Sequence, residues 1–490
     1  MTIFGKSKNF KQEYCCSIIR VDNITPIPDS DFLGIVHVAG FSIVVRKDQV
    51  HVGDIVFYAS NETQLADKFL KANNLYQKYE LNTNANEVYK LLQKGKTDEA
   101  KKKCGFFNQT GRVRTIKLRK VQSFGFIFKL EELQRAYNIP NINLDEYVGT
   151  DFDLVNDKMF IKAYIPPIKT PTFNNTSKTK KATKKANEID RIIPGEFTFH
   201  YDTQPLGKNL DRLKVDDVIT LSVKLHGTSA IFGNVKSNIP NKLPWYKKFI
   251  NLFGNIFHKS HVGYSEIYSS RTVIKNRWAN PKSEGYYGTD IWGEYAKLLA
   301  DKIPEGMTIY GEIIGYLSGS SSYIQKDYDY GCVPLKDGED YIYGKHFKIY
   351  VYRVTLTNVD GEVHEFSPRE VQIWCKNNDL VAVPEYYYGK AKDLYPDLDI
   401  TNHWHENFWN RMASDKNFYM EMDSPDCINK VPHEGVVIKI DDMIPRAFKL
   451  KSYRFCNKEE KELDAGITNI EDAQSENIDN DDSNSYIDEQ

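Results

Sequence analysis

The sequence predicts an α+β protein in which a small N-terminal β-barrel precedes a larger domain of strands and helices. Three observations predict this. Between Glu13 and Ser60, short apolar runs are broken at close intervals by Pro, Gly and Asp, the spacing of a small barrel. Residues 166–191 are rich in Pro, Thr, Asn and Lys, the composition of a flexible basic linker. From Ile192 to Cys456, β-rich runs ending in charged residues alternate with a helical stretch, and beyond Cys456 the chain turns acidic and poor in apolar residues. The expected organisation is therefore 1–165 as the barrel domain, 166–191 as linker, 192–456 as the second domain and 457–490 as a disordered acidic tail.

In the first domain, strands are expected at Cys15 to Val21, Leu33 to Val38, Phe41 to Val45 and Ile55 to Ala59. A lysine-rich helical stretch from Asn86 to Cys104 interrupts them. The strand pattern resumes in the basic run Gly111 to Lys120 and in Phe124 to Phe128. Arg112, Arg114, Lys117 and Arg119 on that basic run are candidates for nucleic-acid phosphate contacts; the other reading is a charged edge that guards the sheet against pairing. In the second domain, an insertion from Asn238 to His261 carries apolar residues at helical spacing, which suits packing on the domain or, alternatively, a basic lid. A helix is expected from Thr289 to Ala300, a strand from Met307 to Tyr310, and a surface loop from Ser318 to Asp340.

The composition narrows the class. At 490 residues with 65 Lys+Arg against 67 Asp+Glu, the chain is long enough for a large core, and its net charge of -2 leaves room for a basic surface balanced by acid at the C-terminus. Seven scattered cysteines without a Cys-x-x-Cys pair suggest reduced thiols and no zinc ribbon. The first residues lack an apolar signal core, and no apolar run is long enough to span a bilayer. A soluble cytoplasmic monomer without a membrane partner is expected, in the host cytoplasm if the chain is viral.

The chemistry centres on Leu221-Ser222-Val223-Lys224-Leu225-His226-Gly227-Thr228-Ser229-Ala230. An apolar β-branched run leads into Lys224, and the residues after it read as a tight turn, which sets the lysine at a strand end beside backbone amides able to face an anion. Lysine attacks phosphorus only as the free amine, so cations or a metal ion must crowd it to depress its pKa from about 10.4. Four further stretches have the same character of a β-rich run with charged residues. They are Ser269-Ser270-Arg271-Thr272, Ile309-Tyr310-Gly311-Glu312, His433-Glu434-Gly435-Val436-Val437-Ile438-Lys439 and Ala447-Phe448-Lys449-Leu450-Lys451.

In this order, the five stretches resemble the signature motifs of the covalent nucleotidyltransferase superfamily, the polynucleotide ligases and RNA capping enzymes. The Lys-x-His-Gly form at Lys224 looks like the RNA ligase 2 and RNA-editing ligase branch, and the resemblance covers roughly Glu196 to Phe455. Ile24 to Ile27, Gly40 to Val45, Val52 to Tyr58 and Arg112 to Arg119 resemble the N-terminal OB domain of Naegleria-type RNA ligases. The resemblance thus implies an OB-like barrel followed by a nucleotidyltransferase domain of ATP-grasp-like antiparallel sheets with helices.

It also implies roles. Lys224 would attack the α-phosphorus of ATP and carry AMP, with Lys449 and Lys451 neutralising the α-phosphate. Arg271 and Glu312 would hold the nucleotide, with His226, Gly227 and Lys439 beside them. Tyr350 would stack on adenine, or else is a core tyrosine. Glu434 and Glu312 would take a divalent ion, Mg2+ or Mn2+. That ion with Lys439, Lys449 and Lys451 would raise the free-amine fraction of Lys224. His226 departs from the commoner Asp, and an imidazole cannot hold metal-bound water as a carboxylate does. The implied activity is ATP-dependent joining of RNA 5′-phosphate and 3′-hydroxyl ends, in RNA repair. An ATP-dependent DNA ligase or an mRNA capping guanylyltransferase would usually carry its OB domain after the last motif, and a non-catalytic nucleic-acid-binding protein has no use for a lysine nucleophile.

Overall fold

The computed structural model describes residues 2–28, 30–119, 121–165, 191–201, 203–241, 260–276, 290–317, 323–325, 327–336, 338–442 and 446–465. The expected linker 166–191, most of the 238–261 insertion and the tail beyond 465 lie outside them, apart from Arg191. The architecture is mixed α+β with mostly antiparallel sheets.

The N-terminal part is built from short antiparallel ladders. One sheet runs in the order Phe126–Phe128, Ile55–Ala59, Cys16–Arg20, Asp151–Phe152, and another in the order Thr25–Pro26, Leu33–Val38, Phe41–Arg46. The period of two in a strand decides where each side chain goes. On Ile55–Ala59, Phe57 and Ala59 enter a core with Phe69, Phe128, Phe152 and Phe160, while Val56 and Tyr58 enter a second core with Val36, Ile43 and Val45. Among the described residues these ladders do not join into a closed barrel. The expected helix Asn86–Cys104 forms as Ala85–Gln93 and Thr97–Lys102, split at Gly95, whose φ of +71° lies in the left-handed region. The expected basic strand shortens to Ile116–Leu118, because Arg112 turns inward and Arg119 starts a turn.

The remainder forms two sheets joined at the Lys224 turn. The first has the order Gln204–Pro205, Arg446–Lys451, Gly435–Ile440, Val218–Lys224, Glu385–Lys390; the second has Ser260–Ser269, Thr228–Pro240, Met307–Gly315, Phe347–Thr357, Val363–Glu365. In the first sheet Ile219, Leu221, Ile438, Phe448 and Leu450 point into a core with Trp404, Phe408 and Met412. The alternate residues of the same strands are therefore free to line a site on the other face. The helix Ile291–Leu299, capped by Asp290 accepting from the Gly293 N–H, packs Trp292, Tyr295 and Leu299 against the second sheet. Among the described residues no helix is long and apolar enough to cross a membrane.

The chain then returns to its beginning. Residues 457–464, expected in the disordered tail, belong to the helix Tyr453–Asp464, which Ser452 caps by accepting from the Phe455 N–H at 3.1 Å. This helix buries Phe455, Cys456 and Glu460, and the buried Glu460 carboxylate is ion-paired with Arg112 at 2.9 Å and accepts from the Thr115 N–H at 3.1 Å. A bipartner contact between Gln122 and Asn457, at 2.9 and 3.1 Å, adds to the same seam. Acidic composition misleads here because a neutralising arginine arrives from more than 300 residues upstream.

Candidate active site

Register across the first sheet sets the chemical groups in rows. Lys224 lies opposite Gly435, and Gly435 lies opposite Lys451; one step along, Ser222, Val437 and Lys449 form the next row, and then Thr220, Lys439 and Ala447. All but Gly435 line one face of a cavity of about 300 Å³. Gly435 has a φ of +143°, and a Cβ there would come 2.0 Å from the Leu450 carbonyl oxygen, so only glycine fits between the two lysines.

The second sheet closes the cavity from the other side. The turn after Lys224 is held by Tyr330, whose hydroxyl accepts from the His226 N–H and donates to the His226 carbonyl, both at 2.9 Å. Gly227 donates its N–H to Glu312 Oε1 at 3.0 Å, and Gln325 Nε2 donates to the Gly227 carbonyl at 2.5 Å. A Cβ on Gly227 would meet the Ile313 carbonyl oxygen at 2.4 Å and Glu312 Cγ at 2.7 Å, which is why the sequence carries glycine there. Arg271, Glu312 and Tyr352 complete this wall.

Lys224 Nζ donates to Glu434 Oε1 at 2.5 Å, and His226 Nδ1 stands 3.6 Å from Glu434 Oε2. Burial would raise the Glu434 carboxyl, but Lys224 foremost and then His226 and Lys451 bring it down to about 2. Burial also works against a charged Lys224, yet Glu434 and Glu312 outweigh it and Lys451, and the ammonium is held above its ordinary range. Within the protein's own groups, the carboxylates beside Lys224 outweigh the converging lysines, and the expected rise in free amine falls to the divalent ion. Those lysines carry partners of their own. Lys449 and Lys451 both reach Glu13, the latter at 3.7 Å; Lys451 also donates to Glu459 at 2.8 Å, and Lys439 donates to Glu365 at 2.9 Å.

Residues 217–455 match the RNA ligase family. This stretch is an RNA ligase domain. Every site residue expected in it except Tyr350 lines one cavity: Lys224, His226, Gly227, Arg271, Glu312, Glu434, Lys439, Lys449 and Lys451. No curated protein matches the sequence. Solved structures similar to the chain include a mutant of the Naegleria gruberi RNA ligase in apo form, at 17% identity and a TM-score of 0.48, covering 92% of this chain and 100% of that one. Another is a mutant of the same protein with ATP and Mn, at 17% identity and a TM-score of 0.48, covering 93% of this chain and 99% of that one. A third is a mutant with AMP and Mn, at 17% identity and a TM-score of 0.47, covering 91% and 99%. The family assignment rests on the match over 217–455 alone.

Tyr350 does not line the cavity of the RNA ligase domain. It packs beside Val223, Leu225, Ile314 and Tyr328, and burial pushes its phenol up to about 12. Tyr352, two residues on, does line the cavity, with Tyr14 and Tyr201. Arg112 is likewise corrected: its side chain is 2% exposed and is spent on Glu460 and Asp464, whereas Lys117 and Arg119 are exposed and Arg114 is partly so. Residues that sequence reasoning missed include Glu13, His200, Arg353, Glu365 and Glu459. Arg353 pairs with Glu365 at 2.9 Å and lies over the rings of Tyr310 and Tyr201 at 4.3 and 4.6 Å. The period-2 rule could have found Tyr352; no local signal marks the others.

The donor set suits a hard divalent ion. Glu434 Oε2 is buried without a hydrogen-bond partner, and it shares the cavity with the carboxylate of Glu312. Among the described residues no group of three or more His, Cys, Asp or Glu could hold a metal ion by itself. Water and nucleotide phosphates would have to supply the remaining ligands, as is usual for magnesium.

Proposed function

We propose that this protein is an ATP-dependent RNA ligase that joins a 5′-phosphate to a 3′-hydroxyl through AMP carried on Lys224. The observation that carries the reading is the convergence of Lys224, Glu434, Glu312, Lys449 and Lys451 on one cavity inside the RNA ligase domain. Lys224 Nζ attacks the α-phosphorus, the bond to pyrophosphate breaks, and AMP remains as a phosphoramidate. The AMP then passes to an RNA 5′-phosphate, and a 3′-hydroxyl displaces it to form the phosphodiester. Lys449 and Lys451 stabilise the negative charge that grows on the transferring phosphate. Glu434 and Glu312 would hold Mg2+ or Mn2+, an ion that supplies further neutralisation of that charge when bound. Drawing Glu434 away from Lys224 would also remove the main group that keeps the amine protonated. The Naegleria gruberi ligase was solved with ATP and Mn, which agrees with this choice of substrate and ion.

The same reading divides the chain at the 166–191 linker into an OB-like module and the ligase domain, with RNA phosphates contacted by Arg114, Lys117 and Arg119. The seven cysteines are all free, which fits a reducing, cytoplasmic setting, and a monomer acting in RNA repair is the simplest form of the proposal. The test is a joining assay with two RNA strands bearing 5′-phosphate and 3′-hydroxyl ends, ATP and magnesium. Sealed product that requires ATP and the 5′-phosphate supports the reading. Joining that proceeds without ATP, or labelling by GTP in its place, refutes it.

A further inference from the structure

A residue far upstream of the ligase domain completes its cavity. The single turn Gln12–Tyr14 lies at the cavity wall, where Phe10, Lys11, Gln12, Glu13 and Tyr14 all contribute. Glu13 extends its carboxylate to Lys449 through Oε2 and to Lys451 at 3.7 Å through Oε1. The residues on either side of Glu13 are held in place. Lys208 Nζ donates to the Gln12 carbonyl at 2.9 Å and to Cys15 Sγ at 3.2 Å, and Gln12 Nε2 donates to Asp151 at 2.8 Å. The clamp delivers the carboxylate to one place, and only the side-chain torsions of Glu13 remain to move it away.

We propose that Glu13 is a built-in competitor for the nucleotide: in the empty site its carboxylate occupies the position of the α-phosphate on Lys449 and Lys451, and ATP must displace it. This rests on the assignment of those two lysines to the α-phosphate. The physical reason for an internal anion is the cost of leaving the partly buried Lys449 ammonium uncompensated when no nucleotide is present, Lys451 being only part-balanced by Glu459 at 2.8 Å. Once a phosphate arrives, two anions contend for one pair of cations, and like charges cannot share the place. Desolvation favours protonation of Glu13, but Lys449 and Lys451 hold its carboxyl far below the ordinary range, so it does not escape by taking up a proton. It swings out instead. The competent fraction of the empty enzyme is then reduced, and the apparent affinity for ATP falls by the same factor.

The test compares Glu13→Gln with the wild-type full-length chain. Two quantities are read: the KM for ATP in formation of the protein-AMP adduct, and the equilibrium affinity for an ATP analogue with a methylene bridge between the α- and β-phosphorus, which binds without giving up AMP. Both should tighten by roughly three- to tenfold in E13Q, as loss of a contact that closes about two-thirds to nine-tenths of the empty sites requires. Glu13→Asp, with the charge retained on a shorter arm, should fall between the two. Unchanged or weaker binding of the analogue by E13Q, with its melting temperature preserved, overturns the proposal and makes Glu13 a positioning group for the lysines. If neither protein forms an adduct while the analogue still binds more tightly to E13Q, the ligase reading fails and the competitor stands.

Discussion

Replacing Arg112 with alanine removes a guanidinium that is 2% exposed and holds two carboxylates of the C-terminal helix, Glu460 at 2.9 Å and Asp464 at 3.0 Å. The arm to Asp464, a side chain that is 50% exposed, contributes about 0–1 kcal/mol because water screens it. The arm to Glu460 is buried, and breaking it leaves a carboxylate without its cation, at about 3–5 kcal/mol. Burial already pushes the Glu460 carboxyl up, so it can relieve part of that cost by taking up a proton, which favours the lower end. A loss of about 3 kcal/mol is over a hundredfold in the equilibrium for opening this seam. Amide hydrogen exchange should therefore show residues 453–464 losing about two orders of magnitude of protection in R112A, while the ligase-domain sheets keep theirs. The double variant Arg112→Met with Glu460→Met should recover most of it, since an apolar pair leaves no unpaired charge. The reasoning is refuted if R112A leaves that protection unchanged and instead lowers the salt dependence of RNA binding by about one phosphate contact.

Other outcomes follow from the site. Alanine at Lys449 or Lys451 should slow adduct formation by about two orders of magnitude, the scale of one lost transition-state contact, and a normal rate in both would make them a wetted strand face. In metal-free protein, Lys224 should titrate above the ordinary lysine value of about 10.4 and fall in Glu434→Gln, as NMR of isotopically methylated lysines would read; a value at or below the ordinary one contradicts the site described. Glu434, at about 2 when folded against about 4.3 when unfolded, contributes stability that is present above the unfolded value and lost as pH falls toward 2, so E434Q should flatten the acid limb of a pH melting series. Gly227→Ala should cost about 1–3 kcal/mol and distort the Lys224 turn, because its Cβ would overlap the Ile313 carbonyl at 2.4 Å; a fully active, equally stable variant refutes that packing argument. Charge reversal of Arg114, Lys117 and Arg119 should weaken joining most at low salt, flatten its salt dependence and leave adduct formation intact; unaffected joining would remove the RNA role from this ribbon.

What was legible in the sequence is what local pattern decides. Lys224, Glu312, Lys439, Lys449 and Lys451 lie on strands whose period points the charged residue to one face, Arg271 and Glu434 lie just outside strand ends, and the cavity receives all of them. The strands Leu33–Val38 and Ile55–Ala59 form as expected because turn residues bound them on both sides. Arg112 was misread for lack of its partner: alternation says which face a strand residue takes, and only the returning helix makes that face an interior. Glu13 and Glu459 escaped for the same reason, since their contacts with Lys449 and Lys451 join segments that have no pattern in common. The helix over residues 457–464 was hidden by its acidity, which reads as disorder until a buried arginine is placed against it.

The measurement closest to the central claim is the location of AMP on the chain. Full-length protein is incubated with ATP and magnesium, digested, and mapped by mass spectrometry under conditions that preserve phosphoramidates. The account predicts one AMP on the peptide containing Lys224, absent in Lys224→Ala and removed by added pyrophosphate. AMP on a different lysine, or no adduct in folded protein that binds ATP, would contradict it.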